Sequence, residues 1–362
     1  MDEKQPLISI IMPVYNAELY IEAAISAIVA QTFTDWELIL VNDASGDRSG
    51  SICDGWSSKD ERIKVRHLIS NQGAGAARNI GIDMACGRYI TFVDSDDTID
   101  KDLYEKATQY ISIDEAGVIR PDMVLWGLTE EYYDEKGNHT GSNVLSLEDA
   151  VYDTPEQIRR KVIRLEDKTL FGYQWNHLYR SDIIKDNNIR FESVVLYEDY
   201  FFNLKVIEHV NTMRVCSCSG YHYSKRGTGN ITSRFVPEYY ILSRRRVESM
   251  YNAYRSWKMY TPEVKNSCGQ RLVRYIMSAL IRNCGPSSGM NHIDRRRWVK
   301  KIYKDQLYKM LSKHCYIEQV PLRMLRGLIN RHCTSLILIM GRVLYLVKEG
   351  LPGFFAKKKQ IH

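Results

Sequence analysis

Tyr89-Ile90-Thr91-Phe92-Val93 runs straight into Asp94-Ser95-Asp96-Asp97, and few folds accommodate that junction. β-Branched and aromatic residues suit a buried strand. Asp does not, so the strand should stop at Asp94. Its carboxylates then stand at the C-terminal end of a sheet strand, where open α/β sheets bind ligands. Asp94 and Asp96 offer hard oxygen donors at close spacing, which suit Mn2+ or Mg2+ bridging to phosphate. The competing reading is an acidic turn or a helix cap, and a D-x-D taken alone does not separate the two.

The flanking sequence supplies the sheet. Leu7–Tyr15 reads as a buried strand halted by Pro13. Trp36–Val41 is a second, ending at Asn42-Asp43. Neither shows polar alternation, as expected of parallel strands covered on both faces. Ile63–Leu68 alternates, which predicts an edge strand. Helices are predicted over Glu18–Gln31, Ser51–Lys59 and Gly73–Cys86, the last opened by a glycine-rich turn. This alternation gives a doubly wound, mostly parallel α/β sheet with right-handed crossovers. Asn16, Asp43 and the Asp94/Asp96 pair fall at strand ends, so a nucleotide site at that edge follows from the geometry. Beyond it the pattern predicts a helix over Asp100–Tyr110, a strand over Asp122–Gly127 and a polar hairpin or loop over Glu130–Asn143. A basic helix over Thr154–Leu165, a strand over Val215–Tyr223 and a Gly/Thr/Ser loop over Lys225–Ser233 complete this part.

The composition changes after Pro237. Residues 1–239 carry 25 Lys and Arg against 38 Asp and Glu, a net −13; residues 240–362 carry 25 against 6, a net +19. Such asymmetry suggests two regions with different partners. The expected division is therefore an α/β domain over 1–236, which carries the acids at its strand ends, and a helical, basic region over 237–362. Long basic helices are predicted over Tyr239–Trp257, Val264–Asn283 and Arg295–Leu311. A last helix, bracketed by Pro321 and Pro352, is apolar nearly all round from Leu336 onward. This helix and Lys357-Lys358-Lys359 fit an interfacial anchor on an anionic bilayer; a solvated cationic face is the plain alternative. No recognised nucleic-acid motif is visible. The eight cysteines form no C-x-x-C pair, which argues against a zinc ribbon or a thioredoxin-like site. Cys216-x-Cys218 reads as two faces of one strand, with reduced thiols. No run reaches about 18 apolar residues and the N-terminus lacks a signal-peptide pattern. The expected location is cytoplasmic, with peripheral attachment at the inner face of the cell membrane.

Four segments, in order, resemble family 2 glycosyltransferases with the GT-A fold: Ser9–Asn16, Val41-Asn42-Asp43-Ala44-Ser45, Asn71-x-Gly73 with Ala77-Arg78-Asn79-x-Gly81, and Phe92-x-Asp94-Ser95-Asp96-Asp97. The resemblance spans about residues 7 to 235. Ala44 departs from the family's usual Gly, a change expected to matter little because Ala still permits a turn. The resemblance implies a uracil contact at Asp43, with Pro13 and Tyr15 lining the base pocket. It brings Arg78 to the phosphates or donor sugar, puts Asp94 on the ribose and Asp96 on the metal, and includes Ser95 in the donor-binding segment. Asp97 would orient the donor sugar or cap the next helix.

Glu198-Asp199 matches the family's Glu-Asp pair. Asp199 is the implied general base and Glu198 the secondary candidate. Aromatic neighbours Tyr197, Tyr200, Phe201 and Phe202 should desolvate Asp199 and raise its pKa. His222 is a candidate third metal ligand, or an ordinary strand histidine. Lys225, Arg226 and Thr228 lie on a loop that could close over the diphosphate. Trp175 could stack under an acceptor sugar, or simply pack.

The implied activity is a metal-dependent, inverting hexosyltransferase moving sugar from UDP to a hydroxyl of a glycan or lipid-linked glycan. A nucleotide-sugar pyrophosphorylase-like nucleotidyltransferase would instead want a Gly-rich basic loop after the first strand, where Tyr15-Asn16-Ala17-Glu18 stands. A non-catalytic glycan-binding protein on this fold would be marked by loss of the acids, all of which are present.

Overall fold

A computed structural model describes residues 5–113, 119–226, 235–313 and 315–350. It divides the chain into two compact units, Met1–Gly229 and Asn230–His362.

In the first unit the leading strands are β1 (Ile8–Val14), β2 (Trp36–Asn42), β3 (Ile63–His67) and β4 (Tyr89–Phe92). Helices α1 (Ile21–Val29), α2 (Ser49–Ser57) and α3 (Ala74–Met84) separate them. Their order in the sheet is β4-β1-β2-β3, all parallel. Every residue of β1 and β2 is buried, whereas β3 alternates and ends the sheet. Ile11 lies opposite both Ile39 and Phe92, so the C-terminal ends of β1, β2 and β4 share one edge. Helix α3 reaches β1 closely because residue 81 is glycine: a Cβ there would stand 2.3 Å from Cγ2 of Ile11.

The remaining strands are β5 (Thr98–Ile99), β6 (Ser112–Ile113), β7 (Ile119–Arg120), β8 (Met123–Tyr133), β9 (His139–Leu145), β10 (Ala150–Tyr152), β11 (His177–Arg180) and β12 (Met213–Arg226). Strand β11 runs antiparallel between β4 and β8, and β12 runs parallel to β8 with an irregularity between Cys216 and Tyr221. Strand β10 edges this side, β5 pairs with β12 and β9 with β8, while β6 and β7 form a separate ribbon. Helices α4 (Leu103–Thr108), α5 (Pro155–Asp167), α6 (Ser181–Asp186) and α7 (Glu198–Ile207) complete the unit. The segment Glu130–Asn143, expected as a hairpin or loop, is a hairpin of β8 and β9. The departure from the sequence reading is in β12, which continues through Lys225 and Arg226 opposite Tyr132 and Tyr133. Those two basic residues therefore sit on a strand rather than in a loop, and Thr228 lies outside the described residues.

The second unit is helical: α8 (Tyr239–Ser256), α9 (Pro262–Cys284), α10 (His292–Lys304), α11 (Gln306–Ser312), α12 (Val320–Asn330) and α13 (Thr334–Gly350). Two predicted helices are broken. Asp305 leaves helical geometry between α10 and α11 and caps the latter, accepting from the backbone N–H groups of Leu307 and Tyr308. Between α12 and α13, His332 takes φ 57° and the Cys333 N–H reaches back to the Leu328 carbonyl, a left-handed helix stop made without glycine.

Candidate active site

The edge where β1, β2 and β4 end is built from sharp turns. Asn16 follows β1 with φ 48°; its side chain accepts from Gly46 N–H (2.8 Å) and its own N–H reaches Ser45 Oγ (3.1 Å). Ala44 after β2 has φ 56°. An alanine in the left-handed region carries a steric penalty that glycine escapes, so this departure from the family pattern is not neutral. Pro13 is buried on β1 opposite Val41, whereas Tyr15 is 52% exposed at the mouth of the edge. Tyr15 is thus free of the core and available to a ligand's flat face.

Asp43 is 2% exposed and acts as a strut. Its two carboxylate oxygens accept the backbone N–H groups of Gln72 (2.7 Å) and Gly73 (2.8 Å). Each oxygen keeps a second lone pair, so the strut remains able to accept from a ligand. The turn it holds opens α3, which delivers Arg78.

Arg78 is the hub. Its guanidinium is 5% exposed and lies 2.8 Å from Asp94, 3.1 Å from Asp199 and 3.8 Å from Glu198. Burial works against its charge, but Asp199, Asp94 and Glu198 hold its pKa above that of an ordinary arginine. The next residue, Asn79, exchanges two hydrogen bonds with the Phe191 backbone (2.8 and 2.9 Å), and Phe191 stacks on Phe202 of α7 at 4.1 Å. The Ala-Arg-Asn segment thereby fixes α7, whose first turn carries Glu198 and Asp199. Tyr197, just before them, is left-handed at φ 69°, a strained position of the kind found at functional sites.

Asp199 stands about a quarter exposed. Burial pushes its carboxyl well above the usual range despite Arg78, and Glu198 and Asp94 push the same way. Gln174, fully buried, completes the cluster. With its amide oriented to satisfy both ends, it donates to Asp199 (3.0 Å) and accepts from Arg78 (2.9 Å). The sequence reading passed over Gln174. Its only signal was a polar residue set between the aromatic Tyr173 and Trp175.

The D-x-D residues divide by role. Asp94 faces Arg78. Asp96 is 47% exposed and takes Arg226 Nη1 at 3.2 Å; burial and then Asp94 push its carboxyl above the usual range, against Arg226. Ser95 is half-buried between them. Asp97 is 1% exposed and caps no helix, since α4 begins only at Leu103 after Asp102. Its carboxylate accepts from the Tyr221 hydroxyl (2.8 Å) and the Ser224 N–H (2.7 Å), clamping the turn to β12. The same hydroxyl accepts the Asp94 N–H at 3.2 Å. Burial, then Asp96 and Asp94, raise Asp97 well above an ordinary aspartate.

Three expectations are corrected. His222 does not join the acids of the turn. Its Nδ1 lies 2.9 Å from Glu131 and its Nε2 3.0 Å from Asp100, so both ring nitrogens are engaged by carboxylates. These outweigh burial and raise its pKa. Among the described residues no group of three His, Cys, Asp or Glu side chains is gathered to hold a metal. Trp175 cannot underlie a sugar. It is 2% exposed, with Tyr221 stacked on one side at 4.0 Å and Tyr173 on the other at 4.4 Å. Lys225 is paired with Glu130 rather than presented by a loop, and Arg226 lies over the Tyr20 ring at 3.9 Å.

Residues 9–187 match the family model described as Glycosyl transferase family 2. Residues 9–187 are thus a glycosyl transferase family 2 domain. It is 32% identical over 219 residues to a Bacillus subtilis (strain 168) protein named uncharacterized glycosyltransferase EpsJ, covering 60% of this chain and 61% of the relative. It is 28% identical over 233 residues to poly(ribitol-phosphate) beta-N-acetylglucosaminyltransferase TarS of Staphylococcus aureus (strain MW2), covering 63% of this chain and 37% of that one. The chain thus spans about three fifths of EpsJ and less of TarS. A crystal structure of S. aureus TarS residues 1–349 in complex with UDP-GlcNAc matches with a TM-score of 0.62 at 22% identity, over 95% of this chain and 92% of that one. That likeness shows the GT-A fold.

Proposed function

We propose that this chain is a glycosyltransferase that moves a sugar from a UDP-sugar to a hydroxyl of a glycan or lipid-linked glycan, inverting the anomeric centre. The observation that carries the reading is the chain Asp94–Arg78–Asp199. It joins the acidic turn on the donor side to the base candidate through one buried guanidinium. The family membership and the names of the relatives support the same reading.

The chain's own residues perform two tasks. At the edge, Tyr15 and Asp43 meet the base, and the turn Asp94–Asp97 meets the ribose and diphosphate. At α7, Asp199 accepts the proton of the acceptor hydroxyl as that oxygen attacks the anomeric carbon and the bond to UDP breaks. Its raised pKa suits a base. Arg78 and Gln174 hold the carboxylate in place. A divalent cation fits the turn. Asp96 is a half-exposed hard donor whose charge Asp94 disfavours, and Mg2+ and similar ions use one or two carboxylates alongside substrate phosphates. Asp96, with Asp94 beside it, would hold Mn2+ or Mg2+, which offsets the charge growing on the departing diphosphate.

The test is UDP release from UDP-glucose, UDP-galactose and their N-acetyl forms, with and without Mn2+. Release from at least one donor supports the reading. UDP-sugar made from UTP and a sugar phosphate, with no transfer from any donor, would favour the nucleotidyltransferase.

The helical unit supports a second proposal: that it rests on an anionic bilayer. No helix among the described residues is long and apolar enough to cross a membrane. However, α13 exposes Leu336, Ile339, Val343 and Leu346, a row at three- and four-residue steps, in a region of strongly positive charge. Vesicles containing phosphatidylglycerol should retain the protein in flotation and lose it on Val343→Asp. Equal retention by neutral vesicles, or none by either, would remove the idea.

A further inference from the structure

Strand β12 carries most of the clasp on the acidic turn: Tyr221, Ser224 and Arg226 each reach it. The strand's pairing with β8 is regular through Cys216, irregular up to Tyr221, and regular again to Arg226. That irregularity therefore sets the register of the clasping half. Two cysteines sit in it. The sequence reading put them on opposite faces; instead their sulfurs stand 3.1 Å apart.

The surroundings hold this pair together. Asp149 accepts from the Ser217 N–H (2.8 Å) and Ser217 Oγ (3.1 Å), gripping the residue between the cysteines, and from the Tyr110 hydroxyl (2.6 Å). Residues 127 and 220 are both glycine. A Cβ on Gly127 would meet Ser219 Oγ at 2.7 Å, and one on Gly220 would meet Asp100 at 3.0 Å. The bulge is thus enclosed on two sides and has little room to open. Cys216 is buried and Cys218 is partly exposed.

We propose that Cys216 and Cys218 form a redox-active dithiol that a low-molecular-weight disulfide converts to an internal disulfide at this bulge. A disulfide needs a sulfur separation of about 2.0 Å, so a shift of roughly 1 Å closes the bond. The exchange runs in two steps. The partly exposed Cys218 sulfur, as thiolate, attacks the small disulfide, forming a mixed disulfide and releasing one small thiol. The Cys216 thiolate then attacks the Cys218 sulfur and expels the second. In sum, two protein thiols are oxidised, one small disulfide is reduced to two thiols, and the two protons end on those thiols. The bond to Cys216 and burial hold the Cys218 proton more tightly than in an ordinary thiol, so the first step quickens as pH rises.

The test treats the full chain with oxidised glutathione, blocks remaining thiols with iodoacetamide, and maps the peptides by mass. The wild type should lose alkylation at Cys216 and Cys218 together, give a peptide lighter by two hydrogens, and recover both thiols with dithiothreitol. Cys216→Ser should stop at the glutathione adduct on Cys218, because the resolving sulfur is gone. Cys216→Ala repeats that arm, and circular dichroism confirms that both variants fold. Full alkylation of both cysteines in the wild type, or pairing of either with a different cysteine, would overturn the proposal.

Discussion

The two halves of the sheet in the first unit carry the site by different means. In the parallel half, β1, β2 and β4 deliver Tyr15, Asp43 and Asp94 simply by ending, and the placement is local in the chain. In the mixed half, Tyr221, Ser224 and Arg226 reach the acidic turn from about 125 residues away, the Tyr221–Asp97 separation being 124 positions. Arg78 likewise spans 121 positions to Asp199. The lesson is that strand ends place Tyr15, Asp43 and Asp94, whereas long-range polar contacts place Asp199 and brace the turn.

The largest expected effect tests whether the far side does chemistry. Asp199→Asn should lower transfer by about 10²–10⁴-fold, the range for a positioned general base, while calorimetry shows UDP binding intact. Lost binding would make Asp199 a strut like Asp43. The pH profile sharpens the point. A base must be unprotonated, so kcat/KM should fall as pH drops through the Asp199 pKa. With that pKa raised, the acid limb should lie above the ordinary aspartate value of about 4. An acid limb at or below that value would contradict the raised pKa of Asp199.

A smaller effect tests the clasp. Tyr221→Phe removes the hydroxyl shared by Asp97 and the Asp94 N–H, and should destabilise the fold by about 1–3 kcal/mol, the range for orphaned buried groups. An unchanged denaturation midpoint would show that the turn stands without β12. The smallest effect tests the near side. Ala44→Gly relieves a left-handed alanine and should stabilise by about 1 kcal/mol, offset in part by glycine's extra unfolded-state freedom. Destabilisation would show that Ala44 is unstrained there.

The same contrast decides what could be read from the sequence. Three strands of the parallel half, their helices and the acids beyond their ends followed from largely apolar runs giving way to Asp or Asn, and β3 followed from its alternation. Ala44 was noticed, but its strain was not, because φ is invisible in a residue name. On the mixed side, pairing between β8 and β12 leaves no local pattern, so the strand character of Lys225 and Arg226 and the hub contact of Gln174 were missed. The two readings of Trp175 could not be separated for the same reason: an aromatic residue looks alike whether it faces a ligand or lies between two tyrosines. His222 was read as a metal ligand or an ordinary strand histidine, and Glu131 and Asp100, both distant in sequence, claim its nitrogens.

The central claim is that the turn after β4 holds a cation against the leaving diphosphate. The most direct measurement is Mn2+-dependent UDP release by Asp96→Ala beside the wild type, on whichever donor the wild type uses. The account predicts release that depends on Mn2+ in the wild type and is abolished in the variant; turnover unchanged by the substitution would contradict it.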